Sequence, residues 1–549
     1  MYIRSKTVKG KTYLQLVESQ WIDGKSKQII LRSLGRLDTL RQTGKLDGLL
    51  RSGMKFSERL AVLDAHEQGK SVETESSRIG PVLIFEKLWE MLMIPKVIKE
   101  LLDERKYEFS VERAIFITVL NRLCSPGSDR ASEKWMRDYK VAGKDGLNLH
   151  HFYRAMGWLG EELSAEEQEN ATSFACRCIK DKIEERLFEE KRDLFTELDL
   201  VFFDTTSIYF EGESQGSIRQ LGKTKDHRPD LKQMIVGVVL DAKGNPICCE
   251  MWPGNTTDVT TLIPVSERLK KRFSIKKVCL VADRGMISKK VKDQIVGMGW
   301  EYILGVRMRN EKQAKEIVLS RSGRYKEIYP LSRNSKDPSP LKVKEVVVDE
   351  SRYVVCFNEK QAHKDQEDRE SIIASLEKNL KKGDKSLIGN KGYRRYLKKK
   401  KKESYEIDFE KIKEEERYDG KWVLTTSTEL SAETLALKYK QLLTVEEIFR
   451  TMKSILETRP VYHRCDETIR GHVFCSFFAL LLRKKLQDLL EQKGWRLEWR
   501  DIIQDLNELF EIEICLSGKK YILRSETKGT AGKIFQAAGV ALPPKLIQK

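Results

Sequence analysis

Five strand-like apolar runs between Leu198 and Val306, two of them marked by an acid, restrict what this chain can become more than any other feature. The first, Leu200 to Phe210, is rich in β-branched and aromatic residues and carries one acid, Asp204. Lys232 to Asp241 reads as a second strand, and Gly244, Asn245 and Pro246 turn it into a third, Ile247 to Trp252. Asp258 to Phe273 has helical spacing, Val278 to Ala282 is a fourth strand ending on Asp283, Ile287 to Met298 is helical, and Trp300 to Val306 is a fifth strand. A lone carboxylate in such a strand is costly to bury unless it is paired or holds a cation. Taken singly, each acid fits a strand-end cap or a salt bridge as well as a functional role.

A second constraint lies downstream. Ser431 to Leu456 reads as one helix: Ser431 with Glu433 and Thr434 makes a plausible start, and neither Gly nor Pro occurs before Pro460. Apolar residues fall at Leu435, Leu442, Val445, Phe449 and Met452, close to helical spacing. Tyr439, Glu446 and Lys453 stand seven apart, about two turns, so each returns to the same face, and Arg450 joins them four residues after Glu446. Spacing alone leaves open an ordinary amphipathic helix with solvated charges.

The motif Y-x2-L-x3-E-x6-K at Tyr439 to Lys453 resembles the Y-x2-R-x3-E-x6-K signature of IS4-superfamily DDE transposases. R-P-V-Y-H at Arg459 to His463 and I-R-G-H at Ile469 to His472 look like the IS1634-like branch. The resemblance covers most of residues 198–475, and it fits the strand order above, which is that of an RNase H-like fold. It implies that Asp204 (in D-T-T-S), Asp283 (in A-D-R-G) and Glu446 converge as catalytic acids on two Mg²⁺ ions, with Mn²⁺ able to substitute. The residue types suit that chemistry, because hard divalent cations prefer oxygen ligands and a metal pair can serve both hydrolysis and strand joining without a covalent protein–DNA intermediate. The resemblance further implies DNA contacts from Tyr439, Arg450, Lys453, Arg284, Arg459 and His463. Leu442 stands where the broad signature has Arg, which places position 442 on the expected DNA side and removes one phosphate contact there.

Charge points the same way. Lys and Arg number 101 against 83 Asp and Glu, a formal charge of +18, which favours a polyanionic partner. A mean hydropathy of −0.50 describes a globular chain, and no apolar run approaches the roughly 20 residues of a membrane span. The N-terminal ten residues lack the apolar core of a secretory signal. Ten cysteines without a C-x-x-C pair read as reduced thiols, hence an expected cytoplasmic location, nucleoid-associated when DNA is bound.

The expected fold class is α/β: an RNase H-like catalytic core with a β-rich insertion, preceded by a helical domain and a small β-rich N-terminal unit. The boundaries are 1–55 for the small basic N-terminal unit, 56–197 for the helical and DNA-binding domain, 198–307 with 421–490 for the core, 308–420 for the insertion and 491–549 for a C-terminal segment. Lys398 to Lys402, five consecutive lysines in the insertion, fit a phosphate track or a solvated loop equally. The function implied is a DNA transposase that binds terminal inverted repeats and cuts and joins them to target DNA as a homodimer in a synaptic complex. An RNase H-like nuclease that cuts without joining, and a DNA-binding regulator with a dead site, are the alternatives.

Overall fold

The structure is a computed structural model. It describes all residues except 23–24, 55–72, 104, 169–170, 172–174, 192–199, 213–215, 223–229, 274–278, 284–288, 329–340, 381–390, 400–404, 517–518 and 549. Two compact units emerge, one made of residues 1–76, 511–526 and 543–549, the other of 77–510 and 527–542.

The smaller unit contains a three-stranded antiparallel sheet, β1 (Tyr2–Val8), β2 (Lys11–Ile22) and β3 (Lys25–Arg36), in that order. Two short helices follow, α1 (Leu37–Gln42) and α2 (Lys45–Met54). Strand β4 (Glu73–Arg78) is the edge of a second sheet built with strands from the C-terminal part of the chain.

The larger unit begins with helices α3 (Gly80–Met91), α4 (Ile94–Leu102), α5 (Val111–Cys124), α6 (Asp129–Trp135), α7 (Leu149–Leu159) and α8 (Ile179–Lys191). α3 and α4 are separate helices because Met93 adopts a left-handed conformation with φ 61° between them.

The sheet comes next. β5 (Leu200–Tyr209), β6 (Gln233–Leu240) and β7 (Pro246–Pro253) are antiparallel neighbours. Helix α9 (Asp258–Arg272) leads to β8 (Cys279–Ala282), parallel to β5, and α10 (Lys289–Gly297) leads to β9 (Glu301–Gly305), parallel to β8. Every residue of β6 is buried, as expected of an interior strand whose run Met-Ile-Val-Gly-Val-Val-Leu has no polar face.

Residues 308–420 depart from the expected separate insertion. Strands β10 (Lys326–Ile328), β11 (Leu341–Val348) and β12 (Ser351–Phe357) do not form a sheet of their own. They extend the central one through β15 (Lys421–Thr426), giving the order β10-β11-β12-β15-β9-β8-β5-β6-β7. Outside that sheet the segment holds α11 (Glu359–Leu380), α12 (Phe409–Glu416) and a small ribbon, β13 (Leu397–Lys399) with β14 (Tyr405–Ile407). Lys398 and Lys399 lie in that ribbon, whereas the other three lysines of the run fall outside the described residues.

The helix expected from Ser431 to Leu456 is interrupted. Ser431 caps its start, accepting the Thr434 N–H at 3.2 Å, but α13 (Ala432–Lys440) ends at Gln441. α14 (Leu442–Arg450) then runs into a π-helical turn, Thr451–Ile455. α15 (Asp466–Gln492) follows, a long helix whose Phe474, Phe477 and Phe478 are fully enclosed. The chain ends with α16 (Trp499–Asn507), β16 (Phe510–Leu516), β17 (Lys519–Arg524), α17 (Ala531–Ala538) and β18 (Leu546–Gln548).

α15 packs tightly on α7. A Cβ on Gly471 would stand 1.9 Å from the carbonyl oxygen of Met156, which is backbone and has no rotamer with which to yield. Gly471→Ala gains roughly 1 kcal/mol of helix propensity. It forces the two helices apart, an overpacking cost of about 1–3 kcal/mol or more. The expected net result is a lower thermal midpoint by calorimetry, and an unchanged or higher midpoint would show that the helices part freely.

Candidate active site

The sheet's alternation decides where the acids point. On β5, Phe203 belongs to one core layer and Ile208 to the other; on β8, Leu280 and Ala282 belong to the first layer, Cys279 and Val281 to the second. Asp204 and Asp283 share the parity of the second layer. The parallel register of β5 and β8 pairs Phe203 with Ala282, and the next residue on each strand is Asp204 and Asp283. The two acids thus leave the sheet side by side, on one face. Both are half-buried, and Asp204 Oδ1 accepts the Thr205 N–H at 2.7 Å.

That face is covered by α13 and α14. α14 packs on β5, with Leu442, Val445 and Phe449 buried and Glu446 exposed at the flank. Leu442 therefore belongs to the core. The expectation that it faces DNA is wrong: across the break at Gln441 it stays seven residues, about two turns, after the buried Leu435 and joins the same apolar face. The same break, with the π turn, means that Tyr439, Glu446 and Lys453 do not lie on one regular helical face as the sevenfold spacing suggested. π turns are rare and often mark functional sites.

Tyr439 is placed differently from the expected outward contact: its hydroxyl donates to Asp283 Oδ1 at 3.1 Å. It holds the second acid rather than standing clear for a phosphate. Arg450 is exposed at the end of α14, and Lys453 is half-buried in the π turn. Arg459 stacks over the ring of Tyr209, the last residue of β5, with its guanidinium carbon 5.4 Å from the centroid. Val461 bridges Phe210 just beyond, so the R-P-V-Y-H segment runs beside the end of β5. Arg284 falls outside the described residues.

His463 was expected to contact DNA and instead turns inward. Its Nε2 lies 3.1 Å from Asp129 Oδ2 and 3.1 Å from His472 Nδ1. His472 Nε2 sits 3.1 Å from the Thr458 carbonyl oxygen, which can only accept, so that nitrogen carries the proton and Nδ1 is the acceptor. Arg122 Nη2 approaches the same Nδ1 at 2.9 Å, while its Nη1 donates to the His472 carbonyl at 2.6 Å and also reaches Ser476. Asp129, His463 and His472 have metal-ligand chemistry and their atoms lie within 4.8 Å of one another. The Nδ1 lone pair that a metal would need already faces a guanidinium. The cluster is better described as a hydrogen-bonded tie between α6, the 458–463 segment and α15. Nothing in the sequence marks Arg122 or Asp129 as partners of His472.

Burial, the Arg122 charge and His463 hold His472 well below the usual histidine range. For Asp129, burial acts upward, but the His463 hydrogen bond with the nearby charge of Arg122 prevails and lowers it to about 2. Both folded values are depressed, so both contributions to stability are complete above the unfolded-state values and are lost as pH falls. For His472 the loss begins below about 6.5, with a slope of up to about 1.4 kcal/mol per pH unit for the one proton taken up on unfolding. For Asp129 it begins only below about 4. His472→Gln is expected to flatten the dependence of the urea midpoint on pH between 6.5 and 5; an unchanged slope would mean that His472 titrates normally in the folded chain.

Asp204, Asp283 and Glu446 are not drawn into so tight a triple. The donor set is nonetheless three carboxylates, two side by side and the third on a helix packed against one of their strands, which suits hard divalent cations.

A model of the transposase DDE domain matches residues 196–482, and a model of the N-terminal domain of IS1634 family transposases matches residues 3–68. No match is found among curated proteins. Among solved structures, a piggyBac transposase synaptic complex with hairpin DNA is similar at 12% identity and a TM-score of 0.38, covering 78% of this chain and 79% of that one. A Mos1 transposase paired-end complex with the left transposon end and a Mos1 strand transfer complex are each 16% identical with TM-scores of 0.15, covering 36% of this chain and 60% of theirs. The chain belongs to the DDE transposases, enzymes that act on DNA and require a divalent metal ion. Within them it is of the IS1634 type. No helix among the described residues is long and apolar enough to cross a membrane.

Proposed function

We propose that this transposase binds the terminal inverted repeats of an insertion sequence, cuts there and joins the freed 3′-OH to target DNA, with Asp204, Asp283 and Glu446 as its catalytic acids. The observation that carries the reading is the adjacency of Asp204 and Asp283 on one sheet face, covered by the helix of Glu446. The order β7-β6-β5-β8-β9, with β5, β8 and β9 parallel, supports an RNase H-like core. Mg²⁺, with Mn²⁺ as substitute, would be held by the three carboxylates; when bound, it activates the attacking oxygen and stabilises the leaving one.

The chain's own groups prepare this site. Tyr439 orients Asp283 through its hydroxyl, and the Thr205 N–H fixes one oxygen of Asp204. Arg450 and Lys453 follow Glu446 along the chain and suit flanking phosphates. Residues 77–197 support the core and 308–420 widen its sheet. Two ends must be held together for joining, which favours a homodimer in the synaptic complex.

The test is incubation of the protein with duplexes bearing its element's own ends in Mg²⁺ or Mn²⁺. Cleavage at the element boundary and joining of a pre-cut 3′ end to plasmid are expected. Cutting without joining would favour a nuclease, and metal-independent binding alone a regulator.

A further inference from the structure

The three-stranded sheet of the small unit has two unlike faces. Gly35 pairs with Leu14, and a Cβ on Gly35 would meet Leu40 of α1 at 3.9 Å, so the face bearing the buried Leu14 is the one that α1 covers. The other face carries the register partners of Tyr13, Gln15, Val17 and Ser19. Arg4, Gln15 and Ser33 form one row across all three strands, and Gln28, opposite Ser19, lies two rows along, beyond Tyr2, Val17 and Ile30. Val17 alone is fully buried at the base of this face, while Tyr2 and Ile30 on either side of it remain exposed.

The polar groups on this face hold one another ready. Arg4 Nε and Nη2 donate to Gln15 Oε1 at 3.2 and 3.1 Å. Arg4 Nη1 also reaches Gln28, whose amide reaches the Tyr2 hydroxyl. An arginine and two glutamines are the side chains that pair edge-on with guanine and adenine, and their rotamers are fixed here before any partner arrives. The surrounding charge suits a polyanion: Tyr2 to Arg36 contains eight Lys and Arg against two acids, Glu18 and Asp23. Dimensions agree as well. Strands about 4.8 Å apart give three strands a width of roughly 10 Å. The major groove of B-DNA is about 12 Å wide and admits strands as well as a helix.

We propose that this face lies in the major groove of the transposon end and reads base edges through Arg4, Gln15 and Gln28, with Lys6 and the outer lysines on the flanking phosphates. The inference rests on the proposed function for the identity of the DNA.

The experiment uses the full chain in EDTA, so that no cutting intervenes, and compares binding to a duplex of the element's end with binding to a scrambled duplex. The double variant R4A/Q15A is expected to reduce the end-to-scrambled affinity ratio at least tenfold while changing affinity for the scrambled duplex by less than about threefold. A ratio within twofold of the unaltered chain would overturn the proposal. Should the variant lose its sheet, seen as a lowered thermal midpoint, the unaltered chain is tested on ends with 7-deazaguanine in place of guanine. That removes the groove acceptor of an arginine contact, so weakened binding to the substituted end is expected and undiminished binding overturns the proposal. Failure of the catalytic reading would look different, with specific binding intact and no joining of a pre-cut end by the unaltered chain.

Discussion

Asp204→Asn, Asp283→Asn and Glu446→Gln are each expected to lower metal-dependent cleavage and joining on the order of 10³-fold or more, and the three together no further than one alone. Groups that act as a unit lose function as a unit, so the effects should not add. End binding in EDTA should stay within about threefold, since each change removes a metal ligand and leaves distant phosphate contacts in place. Tyr439→Phe is a graded companion to this series. Because its hydroxyl acts on the site through Asp283, its loss should lower the rate by less than the loss of Asp283 itself. Rates are read on a pre-cut end with plasmid as target. An acid variant joining within tenfold of the unaltered chain would remove that residue from the site.

The second large effect is on stability. α8 is fixed to the central sheet by charges that are almost wholly enclosed. Arg272 on α9, with 1% of its side chain exposed, reaches Glu184 at 2.7 Å, Glu185 at 2.7 Å, Glu250 at 3.0 Å and Asp181 at 3.2 Å. Lys180 donates to Asp181 at 2.8 Å and to the Cys249 carbonyl at 2.8 Å, and Glu184 accepts the Cys249 N–H at 2.8 Å. Arg268 adds a contact to Glu250 at 3.1 Å. Within this network the cations Lys180, Arg268 and Arg272 balance the enclosed acids Asp181, Glu184 and Glu250. Arg272→Met leaves one enclosed carboxylate uncompensated and is expected to cost about 3–5 kcal/mol. Arg186, on the same helix, pairs with Glu189 at 3.3 Å with both side chains more than half exposed, so Arg186→Ala should cost no more than about 0.5 kcal/mol. Urea midpoints for the two variants make the comparison. Similar shifts would mean that the enclosed network contributes no more than a surface pair.

What could be read from the residues was what local physics dictates. Strands β5 to β9 were legible because an enclosed strand admits few polar residues, and the two acids broke that rule visibly. The start of α13 was legible because Ser431 is a good cap. The break at Gln441 was not, since no Gly or Pro marks it and the apolar spacing runs on through Val445, Phe449 and Met452. Leu442 packs in the core with Val445 and Phe449, on the apolar face that lies against β5. The pairing of β12 with β15 was equally hidden, because a strand's sequence fixes its faces and not its neighbour. The tie from Tyr439 to Asp283 spans 156 residues, and only the folded sheet brings them together. Arg122, Asp129 and His472 meet for the same reason, and nothing in the sequence signals that His463 joins them.

The most direct test of the metal site is a change of ligand chemistry at one acid. Asp283→Cys replaces a hard oxygen donor with a soft sulfur, which Mn²⁺ tolerates better than Mg²⁺. Joining of a pre-cut end by this variant is measured in each metal. The account predicts loss of activity in Mg²⁺ and partial recovery in Mn²⁺; joining in Mg²⁺ equal to that of the unaltered chain would show that Asp283 holds no metal and would contradict it.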